Sequence, residues 1–168
     1  MILGIDPGNE QSAFALLDWD LKPKKFGIVP NNKMLSVIDG ITYKRPYPAV
    51  AIEMIASYGM AVGATVFDTC VWTGRFIQEA YPAKVELIYR KDEKMVLCGS
   101  MKAKDSNIRQ ALIDRFAKHD FKNGKGTKSN PDWFHGFSAD IWQAYAVGIT
   151  YYDLFLKEGQ SNENMQRM

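Results

Sequence analysis

Three carboxylates stand where apolar segments end or begin, and they are the first candidates for chemistry in this chain. Asp6 follows the apolar residues 2–5, and Glu53 follows the apolar residues 49–52. Asp140 lies at the start of the last helical pattern. A buried carboxylate is costly unless it is paired or binds a metal ion. No basic residue adjoins Asp6 or Glu53 in the sequence, although a structural ion pair stays open for either acid alone.

Asp and Glu residues without an accompanying His and Cys set favour Mg²⁺ or Mn²⁺ over Zn²⁺, because hard cations prefer carboxylate oxygens. The two cysteines, Cys70 and Cys98, are far apart and lack the spacing of metal ligands. Two Mg²⁺ ions about 3.5–4 Å apart can generate an attacking hydroxide and stabilise a leaving oxygen. The residue types therefore suit hydrolysis of a phosphodiester.

The elements that position these acids follow from hydrophobic periodicity and turn signals. The residues around Pro7 and Gly8 predict a hairpin turn, and the run 49–54 lacks polar alternation, as an interior strand does. Strands are predicted at 1–7, 11–19, 24–29, 49–54 and 84–89, and helices from Asn31 and at 60–80, 92–98, 107–118 and 139–157. Residues 120–132 are predicted to form a flexible loop, and residues 133–137 an aromatic cluster near the last helix. Ser138 is the predicted N-cap of that helix. This order predicts an α/β fold.

Length and composition favour one domain, residues 1–157, with 158–168 as a disordered polar tail. The chain has 168 residues, 46% hydrophobic and 24% charged, which is typical of soluble globular proteins. No apolar run is long enough for a membrane span, and no basic segment of a signal peptide precedes the first strand. With two unpaired cysteines expected to be reduced, we expect a cytoplasmic protein.

Positive charge is concentrated in one segment. Residues 84–128 carry 12 Lys and Arg against 6 Asp and Glu, although the whole chain has a net charge of only +2. Such a segment is either a solvated face or a surface that contacts phosphates.

The predicted helix 60–80 carries two apolar stripes, which is typical of a helix covered on more than one side. One side is expected to pack on the sheet, and the other to contribute to the core or to a subunit interface. The stripes are Met60, Ala64, Phe67, Val71, Gly74 and Ile77, and Val62, Val66, Thr73 and Phe76.

Four segments resemble the motifs of the ribonuclease-H-like nucleases, and among them the RuvC-type Holliday-junction resolvases. Residues 4–8 read Gly-Ile-Asp-Pro-Gly, like the opening motif, and Ala51-Ile52-Glu53 is similar to the second motif. Residues 94–99 look like the lysine-bearing segment, and residues 140–146 are similar to the last motif, D-x-x-D-A-x-A. The resemblance implies a ribonuclease-H-like fold, with a mixed central sheet and helices on both faces. It leaves open whether a host or a virus encodes the chain. A phage-type member of the family is one possibility.

The resemblance implies a metal-dependent endonuclease that resolves four-way DNA junctions in recombination and repair. Asp6 would bridge two Mg²⁺ or Mn²⁺ ions, and Glu53 and Asp140 would each complete one coordination shell. Gln143 replaces the second carboxylate of the last motif, so it would be a weak or outer ligand without negative charge. Lys94, with Lys102 or Lys104, would neutralise the phosphate or the developing charge.

The resemblance also implies contacts with branched DNA and a homodimer, for which helix 60–80 is the candidate interface. The family's junction-wedging aromatic is replaced by Ala56, and Tyr58 is the nearest substitute. Backbone contacts to a DNA arm are expected from the lysines of the loop and of the preceding segment, namely Lys102, Lys104, Lys118, Lys122, Lys125 and Lys128.

Other functions fit the same residues. A ribonuclease-H-like nuclease could act on other branched DNA or on RNA, because the fold does not fix the substrate. A junction-binding protein with weak or no cleavage is favoured by Gln143. A sugar-kinase-type phosphate-binding domain opens with a similar strand, but the chain is too short for a second domain that closes over ATP.

Overall fold

A computed structural model describes residues 1–43, 45–57, 59 and 61–157. Five strands and five α-helices follow one another in these residues, and a π-helical turn extends the last helix. The elements are β1 (Ile2–Asp6), β2 (Gln11–Leu17), β3 (Pro23–Pro30), α1 (Asn31–Thr42), β4 (Ala49–Met54), α2 (Ala64–Ala80), β5 (Val85–Tyr89), α3 (Arg90–Cys98), α4 (Asp105–Phe116), α5 (Ile141–Tyr151) and the turn Tyr152–Leu156. None of these helices is long and apolar enough to span a membrane.

The strands form one mixed sheet in the order β3-β2-β1-β4-β5. Strands β1, β2 and β3 are antiparallel neighbours, whereas β4 runs parallel to both β1 and β5. In the pairing of β1 with β4, Ile5 lies opposite Ile52. The next residue of each strand is an acid, so the register places Asp6 beside Glu53 at the same edge of the sheet.

Helices cover both faces of the sheet, which explains why β1 and β4 are apolar on both sides. On one face, Leu3 and Ile5 of β1 pack with α1 and α2. On the other face, Ile2 packs with α5 in a second core cluster. A Cβ added at Gly4 would lie 2.1 Å from the Ala144 carbonyl oxygen, so this glycine lets α5 approach β1 closely.

The aromatic cluster of residues 133–137 is part of the core beside α5. Phe134 and Phe137 are buried, and Trp133 stacks on Phe116 with ring centres 5.3 Å apart. The hydroxyl of Tyr145 donates a hydrogen bond to the Leu21 carbonyl oxygen and accepts one from Trp133 Nε1. These contacts fix the path of the chain into α5.

The Lys- and Gly-rich loop of residues 120–132, which precedes this cluster, is held in place by hydrogen bonds. The sequence, in contrast, predicts a flexible segment here. Asp132 is buried and accepts hydrogen bonds from the backbone N–H groups of Lys118, His119, Asp120 and Trp133. Burial alone would raise the pKa of Asp132, but these donors hold it well below its ordinary value. The loop is therefore a fixed platform for its lysines.

Several helix boundaries differ from the predicted ones. The last helix begins at Ile141 with Asp140 at its N-cap, because Ala139 has a positive φ of 30° and cannot be helical. Ser138 is therefore not the N-cap. Helix α2 begins at Ala64 rather than at residue 60, after the extended Gly63. Residues 158–168, the predicted tail, lie outside the described residues, as does Tyr58.

Helix α2 buries only one of its two apolar stripes. Thr73 and Phe76 are buried, and Phe76 packs with the sheet and α1. Phe67 and Val71, in contrast, are 61% and 64% exposed, and Ile77 is 37% exposed. The exposed stripe is thus not covered within the described chain, and the expectation that the core could cover it is wrong.

Candidate active site

The sheet register brings together two of the predicted acids. Asp6 ends β1 and Glu53 is the fifth residue of β4, and both side chains are half-buried at the carboxyl ends of these parallel strands. The two carboxyls lie within hydrogen-bonding reach of each other. The two side chains therefore form one cluster, as their positions at the strand ends predict.

The cluster disfavours ionised carboxylates. Burial, followed by the charge of Glu53, raises the pKa of Asp6 to about 8. Burial likewise raises the pKa of Glu53, although the positive charge of Arg90 opposes the shift. Two carboxylates that share a site with little solvent resist double ionisation. A cation placed between them would reverse both shifts, because it stabilises the charged forms.

Asp140 lies close enough to add to this field, since its charge also raises the pKa of Asp6. Its side chain is exposed at the N-cap of α5. Gln143 follows one turn later and is half-buried. The start of α5 thus brings the third predicted acid to the same edge of the sheet.

Arg90 is a part of the site that the sequence analysis did not identify. It is the first residue of α3 and follows β5, the third parallel strand whose carboxyl end lies at this edge. Its guanidinium contacts Glu93 through Nη1 and Asp105 through Nη2. Nη1 also donates a hydrogen bond to Gln143 Oε1 at 3.0 Å. A positive charge therefore already lies among the acids.

Glu93, one turn into α3, is the second residue that the sequence analysis missed. Its side chain is 0% exposed, and its Oε1 is buried without a hydrogen-bond partner in the described structure. Burial, followed by the charge of Glu53, raises the pKa of Glu93 to about 9. The sequence itself offered only an uninterrupted charged run, residues 90–94, directly after a predicted strand.

The donor types fit Mg²⁺ or Mn²⁺, but the side chains do not converge on one point. No group of three His, Cys, Asp or Glu side chains in the described ranges is arranged to hold a metal ion. Arg90 supplies the positive charge instead. The unpartnered Glu93 Oε1 is nevertheless a hard oxygen ligand of the kind that these ions take.

A groove of about 530 Å³ opens beside this cluster. Gln143 and Asp105, which both contact Arg90, line it, and Arg109 and Lys122 contribute positive charge. The Arg109 guanidinium lies over the Trp142 ring, 4.6 Å from its centre. The groove therefore combines cations and an aromatic surface next to the carboxylates.

The predicted lysines differ in their exposure and in the elements that carry them. Lys94 is half-buried on α3 next to Glu93, whereas Lys102 and Lys104 are exposed between α3 and α4. Lys122 lines the groove. Lys118 and Lys128 are exposed and Lys125 is half-buried, all on or beside the loop that Asp132 holds.

The mixed sheet with helices on both faces is a ribonuclease-H-like fold, as the sequence predicts. RuvC of Thermus thermophilus in complex with a Holliday junction substrate is similar to this chain with a TM-score of 0.65, covering 90% of this chain and 92% of that one at 13% identity. Another Thermus thermophilus RuvC structure has a TM-score of 0.63, covering 94% and 96% at 15% identity. At these identities the likeness shows the fold alone. No family model and no curated protein matches the sequence.

Proposed function

We propose that this chain is a metal-dependent endodeoxyribonuclease that resolves four-way DNA junctions by paired phosphodiester hydrolysis. The observation that carries the proposal is the close pair of Asp6 and Glu53 at the ends of β1 and β4, with the charge of Asp140 acting on Asp6. This acidic edge lies on a fold shared with a RuvC that holds a Holliday junction. The motif resemblance around Asp6, Glu53 and Asp140 adds independent support.

Asp6, Glu53 and Asp140 would hold Mg²⁺ or Mn²⁺, with two ions per site. Bound there, the ions would supply the attacking hydroxide and charge stabilisation at the leaving oxygen. Gln143 would contribute a neutral amide oxygen, so it cannot compensate cationic charge as a carboxylate does.

The cations of the site would act on the phosphate. Arg90 interacts electrostatically with Asp6 and Glu53, and it carries a guanidinium whose planar donors suit phosphate oxygens. Lys94 follows Glu93 on the same helix and is the sequence-based candidate for the same task, together with Lys102 or Lys104. Either cation would stabilise charge that develops during hydrolysis.

DNA would reach the acids along the groove beside Gln143. Arg109 and Lys122 would contact phosphates, and Trp142 offers a ring beside them. Lys125 and Lys128 extend this positive surface along the loop, and Tyr58 stays a candidate wedge. Such contacts position a DNA arm without reading its sequence.

A homodimer would provide the two active sites that paired nicks require. The exposed apolar stripe of α2, with Phe67, Val71 and Ile77, is the proposed interface. Two copies of this stripe would bury each other about a two-fold axis, which is compatible with the near two-fold symmetry of a four-way junction.

The test is incubation of a labelled synthetic four-way junction with the protein, with and without Mg²⁺ or Mn²⁺. We expect metal-dependent nicks in opposing strands, and a loss of at least about a thousandfold in rate for Asp6→Asn, equivalent to about 4 kcal/mol of barrier. Equal cutting of junctions, flaps and duplex would support a nuclease but contradict a junction resolvase.

Binding of junctions without cleavage is a second candidate function. Two observations favour it: Gln143 supplies no charge, and Arg90 already pairs with acids at the site. In the same experiment, tight junction binding without nicks at any metal concentration would support this function and contradict the nuclease.

A further inference from the structure

A second groove, of about 450 Å³, shares no lining residue with the groove beside Gln143. It lies where the loop of residues 120–132 begins and ends, and its lining residues include Lys22, Lys118, His119, Asn130, Asp132 and Trp133. Its volume is within the range of about 300–1,000 Å³ that is typical of small-ligand pockets. The proposed function assigns no role to this groove.

Asp132 fixes the wall of the groove that carries Lys118. Its side chain has no exposed surface, and it accepts hydrogen bonds from the backbone N–H groups of Lys118 and His119 at 2.8 and 2.9 Å. The side chains of Lys118 and Lys22 are exposed, and neither belongs to an ion pair among the described residues. Two ammonium groups in the groove are therefore available to an anion.

Trp133 is held in place by its own contacts. Its ring stacks on Phe116, and its Nε1 donates a hydrogen bond to the Tyr145 hydroxyl at 3.0 Å. That hydroxyl donates in turn to the carbonyl oxygen of Leu21 at 2.9 Å, next to Lys22 in the chain. The ring and the segment that carries Lys22 therefore have a fixed relation before any ligand binds.

The ring and the ammonium groups together suit a nucleotide. Lys118 Nζ lies over the Trp133 ring, 5.4 Å from its centre, and a cation–π contact at an exposed site is weak enough for the lysine to move to a phosphate. Aromatic rings beside cations bind single-stranded nucleic acid, because bases stack on the ring and phosphates contact the cations. A duplex keeps its bases paired, so a tryptophan in the groove favours an unpaired nucleotide.

We propose that this groove binds an unpaired nucleotide of single-stranded DNA, with its base on Trp133 and its phosphates on Lys22 and Lys118. The choice of DNA rests on the proposed function, because Lys122 and Asn123 of the same loop line the groove through which DNA would reach the acids. Binding in the second groove requires neither a metal ion nor cleavage.

The test is fluorescence anisotropy of a labelled oligodeoxythymidine of about 8 nucleotides, a length within the range of single-strand sites, with the full-length protein in a chelator. We expect the double variant Lys22→Gln/Lys118→Gln to bind at least about tenfold more weakly. The slope of log affinity against log salt should fall by about 1.4, since each phosphate contact contributes about 0.7. Lys33→Gln, at an exposed position of α1 on the opposite face of the sheet, should change neither.

Stacking is tested by an oligonucleotide in which abasic sites replace the thymidines. It keeps the phosphates and should bind the wild type at least about fivefold more weakly than oligodeoxythymidine. Trp133→Leu should lose this preference, whereas Trp72→Leu on α2 should keep it. The comparison of the two oligonucleotides on the wild type stands even if Trp133→Leu fails to fold.

Equal affinity of the wild type for the two oligonucleotides would overturn the proposal, as would wild-type affinity in the double lysine variant. An equal loss of duplex binding in that variant would overturn the assignment to an unpaired nucleotide, and tighter binding of oligouridylate would overturn the assignment to DNA. Junction cleavage without oligodeoxythymidine binding would overturn this inference alone. Oligodeoxythymidine binding without cleavage at any metal concentration would overturn the proposed nuclease and leave this inference in place.

Discussion

The carboxyls of Asp6 and Glu53 lie within hydrogen-bonding reach of each other at the ends of two adjacent parallel strands. A hydrogen bond between them requires a proton, because two ionised carboxylates would repel each other. Burial and the charge of Glu53 raise the pKa of Asp6, so the metal-free site favours a protonated carboxyl, and its deprotonation should lower stability.

Metal-free protein should lose stability as the pH rises from about 5 to about 9. Asp6 and Glu93 have folded-state pKa values of about 8 and about 9, above their ordinary values of 3.8 and 4.5. Between the ordinary and the folded-state pKa values, the folded state binds more protons than the unfolded state. The free energy of unfolding therefore falls as the pH rises, by up to about 1.4 kcal/mol per pH unit for each proton. Melting temperatures in a chelator measure this slope.

Asp6→Asn is the control for this pH dependence of stability. The variant should lose less stability as the pH rises, because one of the two groups no longer titrates. Stability that is constant or rises between pH 5 and pH 9 would contradict the burial of these carboxyls.

Asp132→Asn should destabilise the protein by about 1–3 kcal/mol at pH 7, because a neutral amide accepts fewer and weaker hydrogen bonds from the surrounding N–H groups. The pKa of Asp132 lies below its ordinary value, so its contribution is present above that value and is lost as the pH falls through the folded-state pKa. The difference between wild type and variant in urea denaturation should shrink at acid pH. Asp20→Asn, at an exposed turn, should change little.

Gly4→Ala should destabilise the protein by about 3 kcal/mol or more, because the new Cβ would lie 2.1 Å from the Ala144 carbonyl oxygen. Gly40→Ala is the matched control on α1, where a Cβ meets nothing within 4 Å. This control should gain about 0.5–1 kcal/mol from helix propensity. Equal effects of the two substitutions in denaturant unfolding would contradict the close packing of α5 on β1.

Phe67→Glu or Val71→Lys should raise the dissociation constant of the proposed dimer at least about tenfold, about 1.4 kcal/mol, because each buries a charge in an apolar interface. Both side chains are mainly exposed, so the monomer should stay folded. Sedimentation equilibrium measures the constant, with Asp68→Lys outside the stripe as the control. A wild-type protein that stays monomeric would contradict the proposed dimer interface.

The strand-end acids could be predicted from the sequence, because an apolar run that ends in a carboxylate fixes both the element and the position of the charge. The register then brought Asp6 and Glu53 together, since parallel strands end at one edge. The fold class followed from the order of elements and from the motif resemblance.

Arg90 and Glu93 could not be identified in the same way. Residues 90–94 are all charged, and such a run is typical of a solvated helix face. Burial of Glu93 depends on how α3 packs beside α4 and α5, which hydrophobic periodicity does not report. The exposure of one apolar stripe of α2 could not be predicted for the same reason, because the period of a stripe does not tell whether another element covers it.

Cleavage of a supercoiled plasmid that extrudes a cruciform tests the central claim most directly. Paired nicks across the four-way junction convert the plasmid to linear DNA, whereas single nicks give open circles. We predict linear product that requires Mg²⁺ or Mn²⁺ and disappears in Asp6→Asn. Open circles alone, or linear product that persists in Asp6→Asn, would contradict paired cleavage at the Asp6 and Glu53 site.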